Sequence, residues 1–237
     1  MVAWRFIPLL EASGRLQMAI ATWLLEQHRS GFHPPALRFY TWSPIAISLG
    51  YHQHRYPEFW QTLTWHGEAI ELVRRPSGGR AVLHQGDLTY AIVTSGLSSN
   101  RMQAYQQICE FLIQGWQQLG IELQYGQAGR NYIHNPNCFG TATAADLVTP
   151  EGAKLIGSAQ LRRDHVILQH GSIRLNPSVE LFSQVFDEEI LNLPKLDVSI
   201  HTVMNTLFNA AMNCFDAEFE IKPLTEIEMQ SIIEKLR

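Results

Sequence analysis

The sequence predicts an α+β fold in which a mixed or antiparallel sheet is covered by flanking helices. Some segments carry apolar residues at helical spacing and others are short strand-like runs, and the two kinds do not alternate regularly. This irregular order disfavours a doubly wound dinucleotide-binding fold. The 237 residues, 46% of them hydrophobic, suffice for one sizeable core, so we expect a single domain over residues 1–237.

Helices are expected where apolar residues recur every three or four positions. Residues 15–29 form one such segment, and residues 101–119 form a second that ends before Gly120, a typical helix terminator. The C-terminal segment 178–237 is expected to be helical. Its helical patterns are residues 179–186, about 201–215, and 225–236, the last beginning with Thr225 and Glu228 at capping-box spacing.

Strands are expected where short apolar runs stand between turn signals. These runs are residues 36–40, 45–49, 69–73, 88–94, 146–148, 154–156, 165–169 and 172–175. The first two flank Trp42-Ser43-Pro44, which indicates a turn, and we expect them to form a hairpin. A short helix is expected over residues 57–65.

The composition argues against several classes of partner. The formal net charge is -4 and basic residues do not dominate any long stretch, which is atypical of nucleic-acid binding. No run approaches the roughly 18 apolar residues of a membrane span. The first residues lack the charged-then-apolar order of a signal peptide. We therefore expect a cytoplasmic protein without a membrane partner.

The cysteines and histidines suggest neither a disulfide framework nor a metal site. The three cysteines are widely spaced, and the ten histidines form no ligand constellation. Cys109 and Cys214 fall in helical patterns, whereas Cys138 follows Asn135-Pro136-Asn137 in an irregular stretch. Cys138 is therefore the cysteine with the clearest route to solvent.

A glycine-rich segment surrounded by basic residues is the main candidate for a binding site. Adjacent glycines permit close backbone approach, and arginines can bind a ligand carbonyl or phosphate. An ordinary turn with solvated arginines, and a packing role for the histidine, are the alternatives. The candidate substrate-binding residues here are Arg74, Arg75, Ser77, Gly78, Gly79, Arg80 and His84.

This segment resembles the first signature of the superfamily of lipoate and biotin protein ligases and acyltransferases. A second segment resembles another signature of the superfamily, and the likeness covers most of residues 4–186. The resemblance implies a biotin/lipoate ligase-like catalytic domain. It also implies that the second segment binds substrate through Gly157, Ser158, Ala159, Gln160, His170 and Gly171.

Within the superfamily, the chain is most similar to the LipM-type octanoyltransferases. Arg80 stands where the ligases usually carry a third glycine, and Cys138-Phe139 precedes Lys154 as in the transferases. The resemblance implies that Cys138 and Lys154 are catalytic. It implies transfer of octanoyl from acyl carrier protein, through a cysteine thioester, to a lysine of a lipoyl domain in lipoate biosynthesis.

The implied partners are octanoyl-acyl carrier protein and lipoyl-domain proteins such as the glycine cleavage H protein or the E2 of a 2-oxoacid dehydrogenase. The acyl donor is carried on phosphopantetheine, and no ATP, metal or organic cofactor is implied. The small residues after Cys138-Phe139 and the absence of acids over residues 18–22 depart from the family pattern. Three alternatives therefore stay open: an ATP-dependent lipoate-protein ligase, an octanoyl amidotransferase between lipoyl domains, and a catalytically silent carrier-binding homologue.

Overall fold

A computed structural model describes residues 3–126, 143, 145–187 and 198–236. The α helices within these ranges are α1 (Gly14–Arg29), α2 (Arg101–Gln118), α3 (Val179–Phe186), α4 (Ile200–Phe215) and α5 (Glu226–Glu234). The strands are β1 (Ala3–Ala12), β2 (Ala36–Trp42), β3 (Ala46–Leu49), β4 (Thr64–Trp65), β5 (Glu68–Ala69), β6 (Glu71–Arg74), β7 (Val82–His84), β8 (Asp87–Ser95), β9 (Gln124–Tyr125), β10 (Leu147–Val148), β11 (Lys154–Arg163), β12 (Val166–Arg174) and β13 (Glu218–Ile221).

The main sheet is mixed. In the described part of the chain it has eight strands in the order β13-β1-β2-β8-β12-β11-β10-β9. β1 is parallel to both β13 and β2, whereas the neighbours from β2 to β9 are antiparallel. β8 lies between β2 and β12 and is buried along almost its whole length, so it forms the centre of the core.

Helices cover both faces of this sheet, as the α+β prediction requires. One face, with Phe39, Tyr90 and Ile92, packs against α2 and α4. The other face, with Tyr40 and Val93, packs against α1 and against Ile232 of α5. A third cluster forms where β3 and β7 meet α3 and Trp60. No described helix is both long and apolar enough to cross a membrane.

The predicted hairpin of residues 36–40 and 45–49 is wrong, although both strands exist. β2 has β1 on one side and β8 on the other, so both of its hydrogen-bonding edges are occupied. β3 instead pairs with β6 and β7 in a second sheet, which has three strands in the described residues. The chain after Trp42 therefore passes from one sheet to the other, and the cavity described below lies near this crossing.

Other element predictions need smaller corrections. Residues 57–65 do not form one continuous helix. They contain a 3-10 helix over Glu58–Gln61, which is followed by β4. Residues 165–169 and 172–175 belong to one strand, because His170 and Gly171 continue the ladder with β8. Segment 178–237 is not wholly helical, since β13 pairs with β1 at the edge of the main sheet. Residues 188–197 of that segment lie outside the described residues.

Side-chain caps explain where several helices begin. Ser13 accepts a hydrogen bond from the backbone N–H of Leu16 at the start of α1, and Asn100 caps α2 in the same way. Thr225 and Glu228 form the predicted capping box of α5. α2 ends at the predicted terminator, since Gly120 has a φ of 80°.

A partly buried ion pair attaches α5 to the main sheet. The guanidinium of Arg5 donates to both carboxylate oxygens of Glu228, at 2.7 and 2.8 Å, and to the carbonyl of Lys222 at 2.9 Å. Burial raises the pKa of Glu228, but hydrogen bonds from Arg5 and the Thr225 backbone and the Arg5 charge outweigh it and lower that pKa to about 2. Together the contacts join β1, the stretch after β13, and α5.

We predict that Glu228→Gln lowers the free energy of unfolding by about 1–2 kcal/mol at neutral pH, because it removes a charged hydrogen-bonded pair. The pKa of Glu228 is lower in the folded state, so its contribution is present above about pH 4.5 and is lost as pH falls through 2. Urea denaturation at several pH values should therefore show the two proteins converging toward pH 2. The control Glu234→Gln, at the exposed end of α5, should behave like the parent.

Candidate active site

A cavity lies between α1, the end of the main sheet and the glycine-rich loop after β6. Its empty volume, including space open to solvent, is about 540 Å³. The predicted site residues that line it are Arg75, Gly79, His84, Lys154, Gly157, Ser158, Ala159, His170 and Gly171. The structure thus brings the two glycine-containing segments together around one space.

Arg75 holds the glycine-rich loop from inside. Its side chain is buried, and its guanidinium donates to the carbonyls of Ser48 at 2.7 Å, Gly78 at 2.9 Å and Arg80 at 2.6 Å. Arg75 therefore connects β3 with both sides of Gly79. The exposed Arg74 also donates to backbone carbonyls, including that of Gly50 at 2.7 Å.

The predicted need for glycine in this loop is visible at Gly79 but not at Gly78, and Gly50 after β3 adds a second constraint. Gly79 has a φ of 93°, a backbone conformation that L side chains rarely adopt. A Cβ on Gly50 would lie 1.8 Å from the carbonyl oxygen of Gly79. The loop therefore approaches the end of β3 backbone to backbone, which leaves no room for a side chain between them.

His170 is a neutral histidine beneath the loop. Burial, followed by the charges of Arg75, His84 and Arg38, lowers the pKa of His170 to about 3. Its Nε2 is hydrogen-bonded to the hydroxyl of Ser77. Ser77 does not itself line the cavity, so its contact with His170 connects the glycine-rich loop to β12.

His84 is held on three sides. Its Nδ1 faces Oδ2 of Asp87 at 2.9 Å, its Nε2 faces the hydroxyl of Ser48 at 2.8 Å, and its ring stacks on Trp42 at 3.7 Å. Asp87 also accepts from the hydroxyl of Ser172 at 2.7 Å. These contacts agree with the alternative of a hydrogen-bonded packing residue, although part of the ring faces the cavity.

Lys154 begins β11 with its side chain buried. Its Nζ lies 3.0 Å from Oδ2 of Asp146, and both side chains are only 4% exposed. The same carboxylate oxygen accepts from the backbone N–H and the hydroxyl of Thr143, at 2.7 and 2.8 Å. Lys154 is therefore not the solvated strand-end lysine that such a position usually suggests. Its ammonium group lies at the wall of the cavity.

Cys138 lies outside the described residues, so its catalytic role stays a prediction. The other two cysteines are placed as expected from their helical patterns. Burial raises the pKa of the Cys109 thiol to about 12, and burial also raises the pKa of the half-buried Cys214. Neither thiol has the environment of a nucleophile at neutral pH.

Five predicted substrate-binding residues do not line the cavity. Arg74 ends β6, and Ser77, Gly78 and Arg80 belong to the loop that follows it. Gln160 is the fifth, and its amide donates to Gln169 at 2.7 Å. Gln169 in turn donates to the hydroxyl of Tyr90, so Gln160 belongs to a buried hydrogen-bond network on the α2 side.

The structure also adds residues that the sequence does not single out. Asp146 is the most important, since it pairs with Lys154, and Ser48, Trp42 and Thr89 line the cavity beside it. The signal for Asp146 is weak: one acid eight positions before a lysine could equally lie on a solvated loop. In the described ranges, no group of three His, Cys, Asp or Glu residues is arranged to hold a metal ion.

Comparison with solved structures identifies the fold. A lipoate-protein ligase A determined with bound ATP is similar over 99% of this chain and 94% of its own, with 23% identity and a TM-score of 0.79. A bi-partite lipoate protein ligase from Thermoplasma acidophilum is similar over 100% and 92%, with 22% identity and a TM-score of 0.76. The predicted biotin/lipoate ligase-like fold is confirmed.

Sequence comparison identifies the family. Residues 13–215 match the lipoyl protein ligase A/B catalytic domain. The octanoyltransferase LipM of Lysinibacillus sphaericus is 31% identical over 97% of this chain and 92% of its own length. That of Carboxydothermus hydrogenoformans is 39% identical over 78% and 70%. The chain belongs to the lipoyl protein ligase A/B catalytic domain family, which confirms the resemblance and the prediction of an enzyme.

We predict that His170 makes the stability of the protein depend on pH. The pKa of His170 is about 3 in the folded protein and usually about 6.5, so between these values the unfolded chain binds the extra proton. The free energy of unfolding should then fall as pH falls from 6.5 to 4.5, by up to about 1.4 kcal/mol per pH unit. Urea denaturation of His170→Gln should show a shallower slope, and parallel slopes would contradict the assignment.

Proposed function

We propose that this chain is an octanoyltransferase of lipoate biosynthesis, which passes octanoyl from acyl carrier protein through a thioester on Cys138 to a lipoyl-domain lysine. One observation carries the proposal: a buried Lys154–Asp146 ion pair lies at a cavity framed by both glycine-containing segments. Relatives covering most of the chain are named octanoyltransferases, and this name agrees with that geometry.

The position of Thr143 supports Cys138 as the nucleophile. Thr143 lines the cavity and follows Cys138 by five residues in the sequence. Cys109 is buried in α2 and Cys214 lies near the end of α4, and the pKa of each thiol is raised. A thiolate that reacts at neutral pH therefore has its best candidate in Cys138.

In the first step, the Cys138 thiolate attacks the carbonyl carbon of the octanoyl thioester. The new bond joins the carbonyl carbon to the cysteine sulfur, and the bond to the phosphopantetheine sulfur breaks. The departing thiolate takes a proton from solvent to become a thiol, and the second step returns one proton to solvent. Because one thioester replaces another, the acyl group stays activated. Lys154 supplies a positive charge near the oxygen that becomes negative in the tetrahedral intermediate.

In the second step, the amine of an acceptor lysine attacks the octanoyl thioester on Cys138. The carbon–sulfur bond breaks, the amine loses a proton, and a stable amide forms while the cysteine thiolate is regenerated. The acceptor is a lipoyl-domain protein, and we propose the glycine cleavage H protein or a 2-oxoacid dehydrogenase E2 as its natural form. Neither step consumes ATP, so we propose that no ATP, metal or organic cofactor takes part.

We predict that octanoyl-acyl carrier protein without ATP adds one octanoyl group to the enzyme, detected by intact mass. The adduct should be absent in Cys138→Ala and present in Cys109→Ala and Cys214→Ala, the two matched controls. The same experiment also distinguishes the alternative reactions. Strict ATP dependence of acceptor labelling without an adduct would favour a ligase, and an adduct formed only from an octanoylated lipoyl domain would favour an amidotransferase.

We predict that removing the charge of Lys154 slows formation of the adduct by about 100-fold to 1,000-fold, because a preorganised charge at the developing oxyanion is lost. The double variant Lys154→Met with Asp146→Asn is the suitable test, since it leaves no unpaired carboxylate in the core. Rapid-quench mass spectrometry measures the rate. A wild-type rate in the folded double variant would exclude a catalytic role for the lysine.

A further inference from the structure

A second, larger depression lies on the outer side of the glycine-rich loop. It runs between α1, the loop entrance and the residues after α5, and we call it the α1–α5 groove. Its empty volume, including open solvent, is about 1090 Å³. Its lining includes Arg15, Met18, Arg74, Arg75 and Lys235.

The groove adjoins the cavity of the candidate active site. Met18 and Arg75 line both spaces, so these two side chains form the junction between them where the glycine-rich loop begins. The stretch Leu72–Pro76 forms the wall on this side. A ligand that reaches the cavity through this junction would lie against the outer face of the same loop that frames the acyl site.

The charge of the groove is positive. Arg15, Arg74 and Lys235 are exposed there, and Arg15 is 78% exposed at its side chain. Glu26, the acidic residue in the described lining, is already engaged by Arg29 and Arg163. Glu71, near Arg15, accepts from the backbone N–H groups of Gly14 and Arg15 at 2.5 and 3.2 Å. The nearest ion-pair distance between Arg15 and Glu71 is 3.8 Å, and most of the guanidinium faces solvent.

Apolar side chains form much of the remaining lining, which restricts the kind of anion that fits. Met18, Trp23, Leu72 and Leu236 belong to it, together with the polar Thr22 and Tyr51. A free phosphate would use only the charges and leave this surface bare. A ligand with a phosphate at one end, and a long chain that mixes apolar and amide groups, would use both.

We infer that the α1–α5 groove binds the phosphopantetheine arm of the acyl donor. The phosphodiester lies by Arg15 and Lys235, and the thioester end passes Met18 and Arg75 into the cavity. This inference rests on the proposed octanoyl transfer, because it names where the donor of that reaction enters. The basic groove also explains how a chain with a net charge of -4 binds an anionic donor without an overall positive charge.

Three donors with the same thioester test this inference: octanoyl-acyl carrier protein, octanoyl-phosphopantetheine and octanoyl-pantetheine, which lacks the phosphate. The variant is the double substitution Arg15→Gln with Lys235→Gln. The control is Lys222→Gln, a 63% exposed lysine that follows β13. The rate of octanoyl adduct formation per donor concentration, kcat/KM, is measured for each pair.

We expect the double variant to lose about three- to tenfold in kcat/KM with both phosphate-bearing donors, as expected for two exposed charge contacts. With octanoyl-pantetheine, the kcat/KM of the double variant should equal that of the wild type. The control Lys222→Gln should have the wild-type kcat/KM with all three donors. An equal loss with all donors, no loss with any donor, or a loss with the carrier protein alone would each overturn the inference. A shift only in the KM for the lipoyl domain would assign the groove to the acceptor instead.

A binding measurement separates this inference from the proposed function. Calorimetry with Cys138→Ala and free phosphopantetheine does not require acyl transfer. The inference is supported if phosphopantetheine binds more strongly than pantetheine and if the Arg15 and Lys235 substitutions weaken its binding. This holds even if no octanoyl adduct forms. Equal binding of the two compounds would overturn it even if transfer occurs.

Discussion

The buried guanidinium of Arg75 is the contact on which the active-site architecture depends. Its hydrogen bonds to carbonyls of β3 and of the loop on both sides of Gly79 hold a loop that has few side chains of its own. A buried charge is costly to leave without partners, so the loop has a strong free-energy preference for the conformation that supplies these carbonyls. The cavity on one side and the α1–α5 groove on the other both take their shape from this loop.

The two faces of the main sheet carry different polar interactions. Toward α1, His170 and Ser77 connect β12 to the loop, and the cavity opens beside them. Toward α2, Gln169 and Tyr90 form a network with Gln160 and Cys109, and the Tyr90 hydroxyl also contacts that of the cavity-lining Ser158 at 2.8 Å. Because neighbouring residues of a strand point to opposite faces, adjacent positions such as Gln169 and His170 serve different purposes.

Much of the fold could be predicted because its helices are amphipathic and well capped. α2, α3 and α4 lie within one or two residues of their predicted bounds, and the capping box of α5 is present. β1 was not predicted, because it contains Pro8 and shifts register between Ile7 and Leu10. Both features interrupt the alternation of inward and outward side chains that is typical of a strand. β13 is four residues long, and only its pairing with β1 defines it.

Strand pairing was the weaker part of the prediction, since it depends on which edges other segments occupy. Nothing between β2 and β3 reveals that β8, more than forty residues later, takes the edge that a hairpin would need. The site residues show the same difference between what the local sequence indicates and what only tertiary contacts determine. Its loop and its lysine are readable as motifs, whereas Asp146 gains its role only from the tertiary contact with Lys154.

Asp146 has one more consequence, which concerns how the chain can vary. Its backbone carbonyl accepts from the N–H of Gly126 at 2.9 Å, and its carboxylate accepts from Thr143. One residue thus closes both ends of the segment between positions 126 and 143. Exchanging its side chain would remove the carboxylate contacts with Thr143 and Lys154 but leave the backbone contact with Gly126. Variation at position 146 therefore changes the partner of Lys154 and a contact of Thr143 together.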